Sequence, residues 1–419
     1  MNLRNTTMLC ASAFLLAACA ENSGDSGGTT APPVVDTFEL GDPIDGLTPD
    51  ELAAFHRGKI VFERRFKPSE GLGPFYNATS CASCHSTPIT GGSAQLYRNF
   101  YIAMWGTPGF QMSLWQLPSP VVPAYGSGIH SSADFDLEGG RIVIPETSFG
   151  QPVVAAQRNS IPIFGVGLFE FISNEQMRLR RDPNDEDNDG ISGRVNADLS
   201  SGSLGRFGVK AQANNIESFT RAPLQNQMGI TTDPFEGLGG VVSLGATQAV
   251  ASPNDPTIDA DSVPDPEMST SDLGDLIAFT RFLAPPRKKP FNESARRGED
   301  LFAQVRCTAC HVPKLASSRG PVHAYTDLLL HDLGPDLADG LSFGSPEVST
   351  ISPATTDQEF RTQPLWGVSM HAPYLHDGRA ETLYEAITMH KGEATGVLSA
   401  FDALSDQEKR DIIAFLEHL

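Results

Sequence analysis

Two short stretches of the chain carry residues whose types and spacing can do chemistry: Cys81-Ala82-Ser83-Cys84-His85 and Cys307-Thr308-Ala309-Cys310-His311. Cys-x-x-Cys-His is the attachment sequence for a c-type haem. The two thiols add to the vinyl groups as thioethers, and the adjacent histidine ligates the iron from the proximal side. Three other chemistries use similar residues. A thioredoxin-like redox pair needs a strand-to-helix setting, and nothing around Cys81 or Cys307 reads as a βαβ unit. A zinc site needs four ligands close together, and each motif offers three with no second Cys or His pair nearby. Paired cysteines without a cofactor would leave four thiols open to oxidation in an exported chain. Two copies favour two covalently bound c-type haems, on Cys81 and Cys84 with His85, and on Cys307 and Cys310 with His311.

The sixth iron ligand decides what a haem can do, because methionine raises the potential and closes the iron while an open position admits peroxide. Met228 lies four residues after Leu224, and Met370 five after Leu365, in matching Pro-Leu segments. They are the candidate distal ligands of the first and second haem, although a methionine at a loop end is equally a core residue. Rivals are Met104, Met112 and His130 for the first haem, and His331, His376 and Met389 for the second. If both methionines ligate at rest, neither iron is open and an enzyme needs a conformational switch.

The elements that must position these motifs recur. Thr48-Pro49-Asp50-Glu51 predicts a helix start with a threonine N-cap, proline at the first position and a capping box. Its Arg57-Gly58 and Phe62 return as Arg297-Gly298 and Phe302 ahead of the second motif. Phe219-Thr220-Arg221-Ala222-Pro223-Leu224 resembles Phe360-Arg361-Thr362-Gln363-Pro364-Leu365. Asp275-Leu276-Ile277-Ala278-Phe279 resembles Asp411-Ile412-Ile413-Ala414-Phe415, on helices expected to start at Ser271 and Ser405. The chain reads as internally duplicated, with a first unit over 48–285, a second over 290–419, and Pro285 to Pro290 as the linker. The offset falls from 240 residues at Phe62/Phe302 to 136 at Asp275/Asp411, so the first unit carries about 104 extra residues. Within them, Gln95 to Leu117 and Arg141 to Pro145 read as short strands.

The 419 residues hold 30 Lys+Arg against 51 Asp+Glu, a formal net charge of −21. Neutralising phosphates needs Lys/Arg clusters, so a nucleic-acid partner is excluded on charge. The stretch from Ala222 to Thr280 contains nine acids and no Lys or Arg; it reads as a solvated acidic surface, or else as a docking patch for a basic partner. Residues 1–18 read as a signal peptide, with Arg4 before an apolar run too short to span a bilayer. Leu16-Ala17-Ala18-Cys19 resembles the bacterial lipobox, which makes Cys19 the lipidation site and Cys10 a discarded residue. Residues 19–47 read as a flexible tether, Ser/Gly/Thr/Pro-rich over Glu21 to Val35. The expected location is the periplasm, on a lipid anchor in the outer membrane.

Asp185-Glu186-Asp187-Asn188-Asp189-Gly190-Ile191 gives alternate oxygen ligands and then a glycine, the front half of an EF-hand-type loop. Asp185, Asp187 and Asp189 are the expected calcium ligands. Asn196 stands at the twelfth position, where a bidentate glutamate is usual, so the site should be weak or completed from elsewhere. An acidic turn without metal is the plainer alternative.

Taken in order, several motifs resemble the bacterial di-haem oxidoreductase family, whose members are also labelled thiol oxidoreductases. They are Gly71-Leu72-Gly73-Pro74 before the first motif, Gly205-Arg206-Phe207-Gly208, Leu329-Leu330-His331-Asp332, Pro364-Leu365-Trp366-Gly367 and Leu375-His376-Asp377-Gly378-Arg379-Ala380. The family is distantly similar to di-haem cytochrome c peroxidases. The resemblance spans roughly residues 50 to 419. It implies a mainly α fold of two cytochrome-c-like helical domains, the first with a long loop- and strand-containing insertion. It also implies electron entry through one haem, and peroxide reduction or oxidation of a partner protein at the other. Val209 stands where the family pattern leads one to expect tryptophan, and Leu333 where one expects methionine. Trp366 is a plausible relay, with core packing the plainer reading.

Two functions follow. One is an enzyme that reduces peroxide or oxidises a partner, with Glu170, an acid inside the apolar run Gly167-Leu168-Phe169, as candidate distal acid-base group; its alternative is a structural ion pair. The other is a lipid-anchored di-haem electron carrier with no substrate of its own. Either needs an electron-donor or electron-acceptor protein as partner.

Overall fold

The chain, seen in a computed structural model, is described at residues 39–107, 110–113, 121–126, 137–138, 141–142, 144–198, 202–233, 235–237, 240–242, 263–343 and 355–419. These belong to one unit, Thr37–Leu419. Residues 1–38, which include the expected signal peptide with Cys10, the expected lipidation site Cys19 and most of the expected tether, lie outside the described residues, as do His130 and residues 243–262 of the acidic stretch.

Thr48 starts helix α1, Pro49–Glu63, through the capping box, its side chain accepting from the Glu51 amide while Glu51 accepts from the Thr48 amide; a cap of this kind contributes about 1 kcal/mol. The other helices among the described residues are α2 (Asn174–Arg178), α3 (Ile216–Met228), α4 (Thr270–Phe282), α5 (Glu293–Gln304), α6 (Leu383–Thr388), α7 (Thr395–Asp402) and α8 (Asp406–Leu416). Ser405 caps α8, but α4 begins two residues earlier than its apolar spacing suggests. Ser269, not Ser271, is its N-cap, accepting from the Asp272 amide at 3.1 Å.

The sequence repeat is a repeat of packing. Arg57 on α1 grips Asp275 on α4 with two parallel hydrogen bonds of 2.7 and 2.8 Å, and Arg297 on α5 grips Asp411 on α8 with bonds of 2.8 and 3.1 Å. Beside each arginine a glycine lets the helices touch. A Cβ on Gly58 would lie 1.9 Å from the Asp275 carbonyl oxygen, and one on Gly298 the same distance from that of Asp411. Below the contact Phe62 packs on Phe279 with ring centroids 5.0 Å apart, and Phe302 on Phe415 at 5.3 Å. Residues 284–292, between the pairs, are extended without helix or strand.

The extra residues of the first unit form a five-stranded antiparallel sheet. In it the Phe100–Thr107 strand pairs with Gln151–Arg158, running from Phe100 opposite Arg158 to Trp105 opposite Val153. Gln95 precedes a short 3-10 turn, Leu96–Arg98, and the strand starts only at Phe100. A smaller ladder pairs Leu330–Asp332 with Glu359–Arg361, setting His331 opposite Phe360. Helices thus frame the motifs, while sheets and long irregular connections make up much of the rest. Among the described residues no helix is long and apolar enough to cross a membrane.

The glycine contacts can be tested directly. Gly58→Ala and Gly298→Ala each force backbone apart inside a packed helix pair, so each should destabilise by about 3 kcal/mol in urea unfolding. Gly274→Ala, where a Cβ meets nothing within 4 Å, should not.

Candidate functional site

Each Cys-x-x-Cys stretch is a single 3-10 turn, Cys81–Ser83 and Cys307–Ala309, that ends by turning the histidine inward. The His85 amide donates to the Cys81 carbonyl at 3.1 Å and the His311 amide to that of Cys307 at 3.0 Å. The phenylalanine of the adjacent helix packs near each imidazole, Phe62 at 6.1 Å from His85 and Phe302 at 6.3 Å from His311. Both rings are then fixed in the same way. Nδ1 of His85 lies 3.0 Å from the Gly92 carbonyl oxygen, and Nδ1 of His311 lies 2.9 Å from that of Tyr325. A backbone acceptor on Nδ1 sets the tautomer that presents Nε2 to a metal, and His85 has the Ile161 backbone as a second hydrogen-bond partner.

Electrostatics point the same way. Burial lowers the pKa of both histidines, His311 to about 4, so each imidazole is neutral and can offer a lone pair. Burial also pushes the Cys81 and Cys307 thiols up to about 12. A redox-active dithiol requires the opposite shift. All four cysteines are free of disulfides.

A cavity of about 270 Å³ opens over the second motif. Cys307, Cys310 and His311 line it together with apolar side chains such as Phe302, Leu365 and Trp366. On its wall sits Arg361, wholly buried, which donates to the carbonyls of Gly208 (2.9 Å) and Thr362 (3.1 Å) and to Gln363 Oε1 (2.7 Å). Burial lowers its pKa to about 10, and none of these bonds goes to a carboxylate. Asp327 acts on Arg361 from nearby, raising its pKa against burial, while all the hydrogen bonds named go to neutral acceptors, so the guanidinium can take a further anion; a haem brings two propionates. At the first motif Arg98 lies close enough to lower the Cys84 thiol against the larger effect of burial, and its Nε is buried without a partner. The residues present therefore fit haem at both motifs.

The other candidates fall differently. Met370 ends the turn Val368–Met370, and its Cε lies 2.8 Å from where a Gly367 Cβ would be. The next residue, His371, lines the cavity instead. Met228, the last residue of α3, is 2% exposed in the first core, where its carbonyl accepts from the Gly73 amide. Met104 is buried against Ala156 and Leu341. Met112 belongs to the Phe110–Ser113 strand, and Met389 caps α6. His331 has both ring nitrogens engaged, by Asp327 at 2.9 Å and Glu393 at 3.1 Å. His376 stacks flat on Phe360.

Glu170 uses its carboxylate structurally, accepting from the Ile216 amide at the start of α3 (2.7 Å) and from Arg281 Nε on α4 (2.6 Å). In the acidic loop Asp185 and Asp187 converge with Asp182, their oxygens within 4.8 Å of one another. Asp189 pairs with Arg306, directly before Cys307, and stands outside the group of Asp182, Asp185 and Asp187.

Sequence reading missed His371, His390, Arg361 and Lys210. Lys210 is completely buried, its Nζ 3.3 Å from Asp339, 3.1 Å from the Thr356 carbonyl and 3.9 Å above the Phe360 ring, and Asp339 also binds Arg158. Their only signal was charge within apolar surroundings, as in Phe207-Gly208-Val209-Lys210.

Two histidines anchored alike, each following a pair of cysteines free of disulfides, define a haem-binding redox protein of the c type. The family described as "Di-haem oxidoreductase, putative peroxidase" matches residues 143–419, which include the second motif; the first lies ahead of them. The chain belongs to the di-haem oxidoreductase family. It is 33% identical over 132 residues to methylamine utilization protein MauG of Methylorubrum extorquens, covering 30% of this chain and 34% of that protein. It is 30% identical over 156 residues to the same-named protein of Methylophilus methylotrophus, covering 35% and 42%. The chain thus spans less than half the length of either curated relative. A MauG-like protein associated with microbial copper homeostasis aligns over 92% of this chain and 94% of its own, with 19% identity and a TM-score of 0.41.

Burial lowers the Lys210 pKa from 10.5 to about 8. The folded chain then sheds this proton near pH 8, while the unfolded chain keeps it until about 10.4. Stability from this group should therefore rise with pH across that window. Urea unfolding from pH 7 to 10.5 should show wild type gaining on Lys210→Met, by on the order of 3 kcal/mol at most. A constant difference would show that Lys210 does not titrate there.

Proposed function

We propose that the chain is an exported di-haem c-type oxidoreductase, built of two cytochrome-c-like units, that passes electrons between haems and reduces peroxide or oxidises a partner protein. The observation that carries this reading is the matched pair of motifs, each with its histidine held through Nδ1 beneath an equivalent helix pair. When bound, the haems supply one-electron chemistry and an iron at which peroxide can be reduced, two electrons and two protons giving two waters.

The chain's own residues divide the remaining work. His85 and His311 offer Nε2 as proximal ligands, and the four cysteines form the thioethers. Arg98 and Arg361 are placed to neutralise propionates. The segment from Ile161 to Val166 supports communication between the motifs: the Ile161 backbone approaches His85 closely enough to raise its pKa against burial, while Ile161 also lines the cavity at His311. Trp366, on the cavity wall, stacks on Phe169 of the first core at 5.5 Å and 14°. Lipidation at Cys19, location in the periplasm on the outer membrane and an electron-transfer partner protein belong to the same reading.

The mature protein should carry two haem additions by mass, and replacing either cysteine pair by serine should remove one of them. Peroxide added to the half-reduced form should change its electron paramagnetic resonance spectrum. Low-spin iron alone in the oxidised and half-reduced forms, with no response to peroxide, would instead establish the electron carrier.

Calcium at Asp182, Asp185 and Asp187 is a structural addition to this reading, since the converging carboxylates repel one another without a cation. Titration of chelator-stripped protein with calcium should release heat that Asp185→Asn diminishes; no heat in the wild type removes the ion from the account.

A further inference from the structure

We propose that His390 is the sixth ligand of the second haem iron, which makes that haem a closed electron-transfer centre. The proposal rests on the di-haem reading above and deepens it.

An axial ligand must reach the haem space with a free lone pair and be held there by its surroundings. Besides His311, four histidines line the cavity: His331, His371, His376 and His390. His331 has no free nitrogen, because Asp327 and Glu393 occupy both. His376 lies flat on Phe360, centroids 4.4 Å apart and planes at 16°, with Nε2 3.8 Å from Asp377. His371 meets Tyr374 edge-on at 5.7 Å, and among the described residues no backbone carbonyl of another residue fixes its ring.

His390 is built as the two proximal histidines are. It follows the end of α6, and its Nδ1 lies 2.7 Å from the Ala386 carbonyl oxygen, four residues back, which leaves Nε2 to the cavity.

The chain after His390 is pinned by its neighbours. Lys391 pairs with Asp336 at 2.6 Å, and Glu393 binds His331. Gly392 packs so closely that a Cβ there would lie 2.3 Å from the Asp332 carbonyl oxygen. A side chain on a segment held at three successive residues is preorganised. Met370, whose thioether end lies against Gly367, has no such placement.

Two imidazoles on one iron give a low-spin haem of lower potential than a histidine–methionine pair. The open coordination position required for peroxide then belongs to the haem of His85.

Near-infrared magnetic circular dichroism of the oxidised wild-type holoprotein should show a bis-histidine haem. Histidine–methionine signals alone would overturn the proposal. His390→Met should raise the potential of one haem and leave the other in place. His390→Ala should convert one low-spin iron to high spin, with added imidazole restoring it, while His371→Ala leaves both spectra unchanged. Two haems by mass with spectra and potentials untouched in the His390 variants would refute the ligand assignment alone. A wild-type protein with fewer than two haems would refute the di-haem reading beneath it.

Discussion

Everything at the two motifs depends on how closely two helices can approach. At Gly58 and Gly298 there is no room for a single carbon between one helix and the carbonyl of its partner. The arginine next to each glycine reaches around the contact to an aspartate and fixes the helices in register. With register fixed, Phe62 and Phe302 can only point toward the turn that carries the cysteines, and the histidine after each turn is caught between that ring and a backbone carbonyl. Steric contact sets the distance, the ion pair sets the sliding coordinate, and the ligand geometry follows.

The second motif adds a problem of charge. Arg158, Lys210 and Arg361 are all buried nearby, and Arg158 and Lys210 share one carboxylate, Asp339. Such a group is costly in a low-dielectric interior unless further anions complete it. Aromatic faces help, as Phe360 does beneath Lys210, and further carboxylates add compensating charge, Glu359 toward Lys210, Asp377 toward Arg158 and Asp327 toward Arg361.

The parts legible in the sequence were those governed by local spacing. Cys-x-x-Cys-His needs only five residues, and the Arg-Gly and Asp-x-x-x-Phe patterns repeat because the same helix contact is made twice. The distal side was illegible, because its wall is assembled from residues near 161, 306, 331, 361 and 390. Whether Met370 or His371 faces the cavity depends on one residue of phase in a 3-10 turn. Glu170 looked like an acid without a purpose because its partner Arg281 is 111 residues away. Strand positions failed at their ends, as at Gln95, where a tight turn precedes the ladder.

The segment from Ile161 to Val166 belongs by sequence to the first unit, yet it forms part of the wall around His311. A duplication usually leaves two halves that could each stand alone. Here the older boundary survives in the sequence but no longer separates solvent from interior. The second unit expressed by itself would lose one wall of its cavity, so water would enter beside the iron and the dielectric around it would rise. The wall around His311 is thus made by residues of both repeats, and the second cannot enclose its cavity without the first.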